Sequence, residues 1–379
     1  MHEASFRNTW VEISLDAIKG NVREFKKNMD SSCTFMAVVK ADGYGHGALE
    51  VANAAIEAGA GYLGVALLEE AIQLRNEGIT CPILVLGYVG TNSDAIIRAI
   101  ENDITLTVFT KDIAENIVQI AKDIGKKVQV HIKVDSGMNR IGLRDKLEVL
   151  ELVQLLKSDN VHVEGIFTHF ADADNVDPTY TYKQFDHFKS VIGFLEEHGV
   201  SIPIKHCCNS AATISFPEMH MDLVRVGISL YGLYPSEHLK KDIKLTQAMS
   251  FKTKPVMIKE VEKGEPISYG CTFTPVEKSL VATIPVGYAD GFSRSLSNRG
   301  NVTVKGERVP IVGRICMDQS MIDISNVQSV TKDDTFTIFG EESHGYIPLS
   351  EVAEQLDTIH YEIVCLIGKR VPRIYIENN

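Results

Sequence analysis

Basic residues are the first shortage in this chain. Its 379 residues include 38 Lys and Arg against 50 Asp and Glu, for a net charge of -12. No run of lysine and arginine forms the basic footprint that a nucleic-acid binder needs, so that class is excluded. Long apolar runs are also missing. No stretch approaches the roughly 20 residues of a membrane span, and the N-terminus MHEASFRNTWVEISLDAIKGN lacks the apolar core of a signal peptide. Cysteine is sparse and irregularly spaced: Cys33, Cys81, Cys207, Cys208, Cys271, Cys316 and Cys365. Their odd number and the absence of a Cys-x-x-Cys pair argue against a zinc site or a disulfide framework. Reduced thiols in a cytoplasmic protein are the expectation. Asp172 and Asp174 have no third ligand nearby in the sequence, so no metal is expected there.

What is present is a large apolar fraction, 44%, with 23% charged residues, enough for a sizeable core and two or three domains. Ser14 reads as the N-cap of a helix over 15–29, in which Ile18, Val22 and Phe25 recur at helical spacing. A rhythm follows. Strand-like runs fall at 34–39, 62–65, 83–88, 104–109, 128–134, 163–168, 205–208 and 223–226. Helical patterns lie between most of them, the clearest at 49–58, 69–76, 93–101, 110–123, 145–157 and 182–198. Eight strands alternating with helices suggest a (β/α)8 barrel, with an open doubly wound sheet as the alternative.

The unusual residues favour the barrel. Lys40, the 135–140 segment, His169, Asn209 with Ser210, and Arg225 with Gly227 all sit at C-terminal strand ends, which in a barrel face one mouth. After residue 240 the pattern turns to period two, and 241–379 reads as a mostly-β domain with a helical patch at 350–356 and a last strand at 370–376. The barrel domain is therefore set at 14–240. An edge strand within 1–13 is expected to join the β-domain.

The chemistry centres on residues 35–47, FMAVVKADGYGHG. A half-buried lysine loses solvation of its charged form, and the neutral amine becomes a nucleophile or base. That is the requirement of Schiff-base chemistry. A strand-end lysine that snorkels to water is the plain alternative, and this stretch alone does not choose. The loops after the seventh and eighth strands, with the Ser210 hydroxyl and the Gly227 backbone, suit a phosphate. A lysine facing a phosphate cup points to a phosphorylated aldehyde, pyridoxal 5′-phosphate.

The motifs VVKADGYGHG, VDSGMNRIG, THFADAD, CCNSAAT, VRVGISLYGLYP, ISYGCTF, VGYADGFSR and GRICMDQSMID occur in this order, followed by YEIVC and RVPRIY. Together they resemble bacterial alanine racemase over nearly the whole chain, from Trp10 to Tyr375. The resemblance implies a pyridoxal-phosphate barrel, a C-terminal β-domain, an amino-acid substrate and a head-to-tail homodimer that shares its active sites. It implies that Lys40 carries the cofactor and acts as one base, and that Tyr269 is the opposite base, supplied by the partner subunit. Arg225 corresponds to the arginine at the pyridine nitrogen, and His169 to a histidine beside the ring. Tyr44, Ser210, Gly227, Ile228 and Tyr361 correspond to phosphate-binding positions, with Asn209 counted among the cofactor contacts. Arg140 and Met317 correspond to substrate-carboxylate contacts, and Lys133 to a lysine that is often carbamylated. Two departures are Gly43 and Cys271, each where alanine is usual.

Within the resemblance, a racemase of broader range, taking serine or lysine, stands beside one for alanine. A non-catalytic pyridoxal-phosphate homeostasis protein would lack the residues after the barrel. A barrel-type decarboxylase would need an acidic partner where Arg225 stands.

Overall fold

The computed structural model describes residues 6–377. These form two compact units, one of residues 17–43 and 48–246, the other of residues 6–16, 44–47 and 247–377. No helix among the described residues is long and apolar enough to cross a membrane.

The first strand, β1 (Thr9–Ser14), belongs to the second unit. The first unit is built on eight parallel strands: β2 (Thr34–Val38), β3 (Tyr62–Val65), β4 (Ile83–Val85), β5 (Thr105–Val108), β6 (Val128–Lys133), β7 (Val161–Phe167), β8 (Ile204–His206) and β9 (Leu223–Val226). Each pairs with the next in sequence from β2 to β8, and β9 pairs with β2. Two backbone hydrogen bonds bridge the remaining seam between β8 and β9, from Asp222 N to Lys205 O and from Arg225 N to Cys208 O, both 3.1 Å. The ring is closed, so the open sheet is excluded. β3, β4, β5 and β9 are buried along their whole length, as expected for strands covered on both faces.

The helices keep the spacing that the sequence implies. In Lys111–Ile124, Ile113, Ala114, Ile117 and Ala121 are buried on one face, and Gly125, at φ 70°, ends the helix. Each isoleucine removed from water there contributes about 1.5–3 kcal/mol. The first helix ends at Lys27, short of residue 29. β4 stops at Val85, short of residue 88, where Gly87 passes so close that a Cβ would lie 2.3 Å from Ala66 O.

The second unit holds β1 and eight more strands: β10 (Met249–Thr253), β11 (Met257–Val261), β12 (Ser279–Ile284), β13 (Asn301–Val304), β14 (Glu307–Pro310), β15 (Ser320–Asp323), β16 (Phe336–Phe339) and β17 (Arg373–Ile376). One sheet has six strands in the order β14-β13-β16-β10-β1-β17, and the other has three, β11-β12-β15. β1 is not an edge strand. It pairs antiparallel with β10 and parallel with β17, and its alternating burial reflects a covered face. Val261, Ile267, Val281 and Val312 form a core cluster with Phe273 and Met321. Asp290, fully buried, accepts from Arg7 Nη1 at 2.7 Å, Arg370 Nε at 2.7 Å and Gly287 N at 3.0 Å. The helix Leu349–Gln355 falls on the expected patch, whereas His360–Leu366 is a helix that period-two reading conceals.

Candidate active site

Lys40 follows β2 after one residue, Val39, and the chain then turns left-handed. Ala41, Asp42, Gly43 and Tyr44 have φ of 53°, 53°, 60° and 51°. Each non-glycine residue in that region costs about 1–2 kcal/mol, so the turn must be held by its surroundings. Gly43 N donates to Val39 O (2.9 Å) and Ala48 N to Asp42 Oδ1 (3.0 Å). Glu70 supplies the strongest clamp. Its Oε1 accepts from Ala41 N at 2.6 Å, and its Oε2 from Ala66 N and Leu67 N at 2.8 and 3.1 Å. Tyr231 Oη donates to Val38 O at 3.0 Å. The lysine therefore leaves a strand end that is fixed on both sides.

Arg225, on β9, is 4% exposed. Its Nη1 donates to His206 Nδ1 at 2.9 Å. Its Nη2 donates to Thr168 O at 2.8 Å and Cys207 O at 2.9 Å, with His169 Nδ1 at 3.3 Å. Among the described residues no acceptor meets Arg225 Nε. Burial pushes this guanidinium down to about 10. It lies 5.3 Å from the centroid of the Phe167 ring, which stacks on His206 at 4.7 Å.

Lys133 Nζ lies 4.2 Å from the centroid of the same Phe167 ring. Burial, then the charges of Arg225 and Arg140, hold its amine well below the usual lysine value, with Asp135 acting in the opposite sense. His169 is held well below the usual imidazole value by burial, then by Arg225, Lys133, Arg140 and Lys40. It is neutral near pH 7. Asp135 Oδ1 accepts from Gly137 N and Asn139 N, both at 3.0 Å, and so shapes the loop that presents Arg140 to solvent.

Asn209 caps the helix Ser210–Ser215 by accepting from Ala212 N at 3.0 Å. Beside it, the amides of Gly227 and Ser229 converge on Ser210 Oγ at 2.9 and 3.4 Å. Ile228 is buried at the start of the turn Ile228–Tyr231. Ser210 Oγ, which accepts from both amides, keeps its own O–H to donate to a phosphate at the N-terminus of this helix, and the open Arg225 Nε–H suits an unprotonated ring nitrogen, which only accepts. These residues fit pyridoxal 5′-phosphate.

In the second unit, the Tyr44 and Tyr361 rings lie 6.4 Å apart at 57°. Gly45 allows this approach: a Cβ there would stand 2.2 Å from Val364 O. Arg373 Nε donates to Gly45 O at 3.1 Å. Tyr269 is 72% exposed. It stands on a turn with Ser268, Gly270 and Cys271 at φ 67°, 75° and 50°. Ser268 Oγ ties the turn to Arg314 O at 2.6 Å. A cavity of about 700 Å³ opens beside it, lined in part by Tyr269, Lys259, Glu260, Cys316 and Gln319. Met317, 53% exposed, follows Cys316, and its carbonyl accepts from Ala289 N at 3.0 Å. Cys271 is exposed.

Residues 13–235 match the family model "Alanine racemase, N-terminal domain" and residues 248–375 match "Alanine racemase, C-terminal domain". The chain belongs to the alanine racemase family. It is 61% identical to "Alanine racemase 1" of Oceanobacillus iheyensis over 378 residues, 99% of this chain and 100% of that protein. The solved alanine racemase of Clostridium difficile 630 superimposes with a TM-score of 0.94 at 43% identity, covering 99% of this chain and 97% of that one. The Bacillus anthracis alanine racemase with bound L-Ala-P gives a TM-score of 0.93 at 43% identity, with the same 99% and 97% coverage. In this alanine racemase family member, sequence reasoning missed Glu70, Phe167 and His206. Each lies in an ordinary-looking strand or helix, and the only signal was a polar or aromatic residue in an otherwise apolar strand run, as in IKHCC and GIFTH.

Proposed function

We propose that this chain interconverts L- and D-alanine with pyridoxal 5′-phosphate, in the cytoplasm, as a homodimer whose active sites are shared between subunits. The observation that carries the reading is Arg225: buried, boxed by two carbonyls and two imidazoles, with Nε left open, and on the same barrel as a strand-end lysine. In this reading the barrel, residues 14–240, holds the cofactor. Residues 241–379, with the strand in 1–13, carry the second base.

Lys40 would hold the cofactor's aldehyde carbon. Ser210 and the amides near Gly227 and Ile228 would hold its phosphate with Tyr44 and Tyr361, and Arg225 and His169 would border its ring. Bound there, the cofactor supplies an electron sink for the pair left behind when the substrate α-proton departs. Racemisation needs a base on each face of the reacting carbon. Lys40 Nζ takes or returns the proton on one face, and Tyr269 Oη of a second copy does so on the other. Arg140 and Met317 orient the substrate carboxylate. Burial, with the charges of Arg225 and Arg140, loosens the Lys133 amine's hold on its proton, and the neutral amine is the form that reacts with carbon dioxide, so a carbamate formed at Lys133, with release of one proton, would place a negative charge near Arg140. Arg225 remains protonated at neutral pH, because about 10 is still well above it. It would donate to the ring nitrogen without protonating it, and so would leave the bound group a weaker electron sink.

The test is circular dichroism of L-alanine incubated with purified, cofactor-loaded protein, with serine and lysine run alongside. Loss of optical activity with alanine is expected. A faster rate with serine or lysine would move the assignment to a broader racemase, and no rate with any amino acid would overturn the reading.

A further inference from the structure

Arg225 has no anionic hydrogen-bond partner; its acceptors are two carbonyls and two imidazoles. A buried cation normally needs a compensating charge. That charge sits two imidazoles away. His206 Nε2 lies 2.9 Å from His131 Nδ1, and His131 Nε2 lies 2.9 Å from Glu164 Oε2. Tyr62 Oη donates to the same Glu164 oxygen at 2.8 Å and contacts Thr105 Oγ1 at 2.8 Å. His131, His206 and Thr105 are buried, whereas the Glu164 side chain is 17% exposed. A hydrogen-bonded chain therefore runs through the barrel interior from the arginine at the site to a carboxylate with access to water.

Only one proton order satisfies this chain. A guanidinium can only donate, so His206 Nδ1 must be bare and its proton must sit on Nε2. His131 Nδ1 accepts that proton's hydrogen bond, so its own proton also sits on Nε2 and points at Glu164. The reverse order, with Glu164 donating, would set His206 Nδ1–H against Arg225 Nη1–H. Burial and the Arg225 charge keep both imidazoles neutral. Burial alone would raise the Glu164 carboxyl, but the hydrogen bonds from His131 and Tyr62 bring it below the ordinary carboxylate value. Other titratable groups that face the chain are His162, exposed on β7, Lys133 on β6, whose charge also disfavours a cationic His206, and Cys81 near Tyr62.

The backbone is shaped for this chain. β6 and β7 pair Val130 with Val163 and then His131 with Gly165, so Glu164 is the extra residue of a bulge. A bulge re-aims a side chain. Gly165 leaves the space that the His131 ring fills: a Cβ there would lie 2.5 Å from ring atoms.

We propose that Glu164 is a positioning residue for the racemase reaction, acting through His131 and His206 to fix the charge and orientation of Arg225. Tyr62 supports it by holding the carboxylate. The inference rests on the racemase reading only for its kinetic arm. Nitrogen-15 NMR of histidine-labelled, cofactor-loaded protein reads the tautomers directly, with His131→Gln and His206→Gln used for assignment. Both rings should be Nε2–H and neutral in the wild type. In Glu164→Gln, the His131 signal should move toward mixed tautomers, and kcat for alanine should fall about tenfold with KM within about twofold. Tyr62→Phe should lower kcat by about twofold to threefold with the tautomers retained. This variant also keeps the test informative if Glu164→Gln fails to fold. Wild-type rings carrying their protons on Nδ1 would overturn the inference. So would unchanged tautomers and kcat in Glu164→Gln, or, if that variant does not fold, an unchanged kcat in Tyr62→Phe. A wild-type protein with Nε2–H rings and no racemase activity would overturn the function but leave the charge relay standing.

Discussion

The barrel mouth and the Tyr269 loop hold their functional groups in opposite ways. Arg225 and Lys133 are buried and His169 is half-buried, and desolvation moves each away from its ordinary ionisation. Tyr269 stands 72% exposed on a turn of positive φ. The first region resembles a finished pocket, with ionisation set by surroundings in the same chain. The second presents a phenol outward. In the proposed reaction its activation as a base comes from what covers it. In that proposal, one copy of the chain carries a preorganised half-site and an exposed phenol, and association with a second copy would complete both.

Substitutions separate the two halves, and the largest effect is expected at the lysine. Lys40→Ala should remove racemisation to background, a loss of about a thousandfold or more, together with the cofactor's visible absorbance. Retained absorbance would dissociate the lysine from the cofactor. Tyr269→Phe should cost about a hundredfold or more while the absorbance stays; full activity would end the two-base reading. Arg225→Glu should lower racemisation about tenfold to a hundredfold and raise transamination, read as pyruvate formed from alanine. No rise would count against the weak-sink argument.

The smallest effect concerns stability of the second unit alone. Asp290→Asn should cost about 2 kcal/mol, since charge-assisted hydrogen bonds from Arg7 and Arg370 are lost. The Asp290 carboxyl lies below its ordinary value of 3.8 in the folded chain: burial raises it, but the bonds from Arg7, Arg370 and Gly287 outweigh burial. Its contribution is therefore complete above about pH 4 and disappears as pH falls through the lower folded value. The wild-type and variant melting temperatures should converge in acid. A constant gap down to pH 2 would refute the ion-pair account.

Much of this was legible in the residue pattern. The eight barrel strands were readable because each is a short apolar run closed by a helix or glycine, and Lys40, Ser210 and Arg225 stood out by their places at strand ends. The clamps were not readable. Glu70 looks like any first-turn helical glutamate until its three backbone partners are seen. Glu164 looks like an outward strand residue, because a bulge cannot be inferred from period two. The left-handed turn was only half announced: glycine marks residue 43, but Ala41 and Asp42 share the conformation without a side chain that predicts it. The grouping of residues 44–47 with the second unit is likewise a matter of long-range contacts, as is the central place of β1, read from its short alternating segment as an edge.

That place of β1 has a consequence for biosynthesis. Its neighbours are β10 and β17, and β17 ends at Ile376. The first strand to leave the ribosome must therefore wait for the last, about 20–70 s at ordinary elongation rates of roughly 5–20 residues per second. During translation the barrel can assemble from contiguous sequence, while an apolar strand at the N-terminus remains without its sheet. Any holdase that acts on the nascent chain has its longest opportunity before β10 emerges, and a chain arrested before residue 373 would hold a completed barrel and a β1 paired with β10 on one side only.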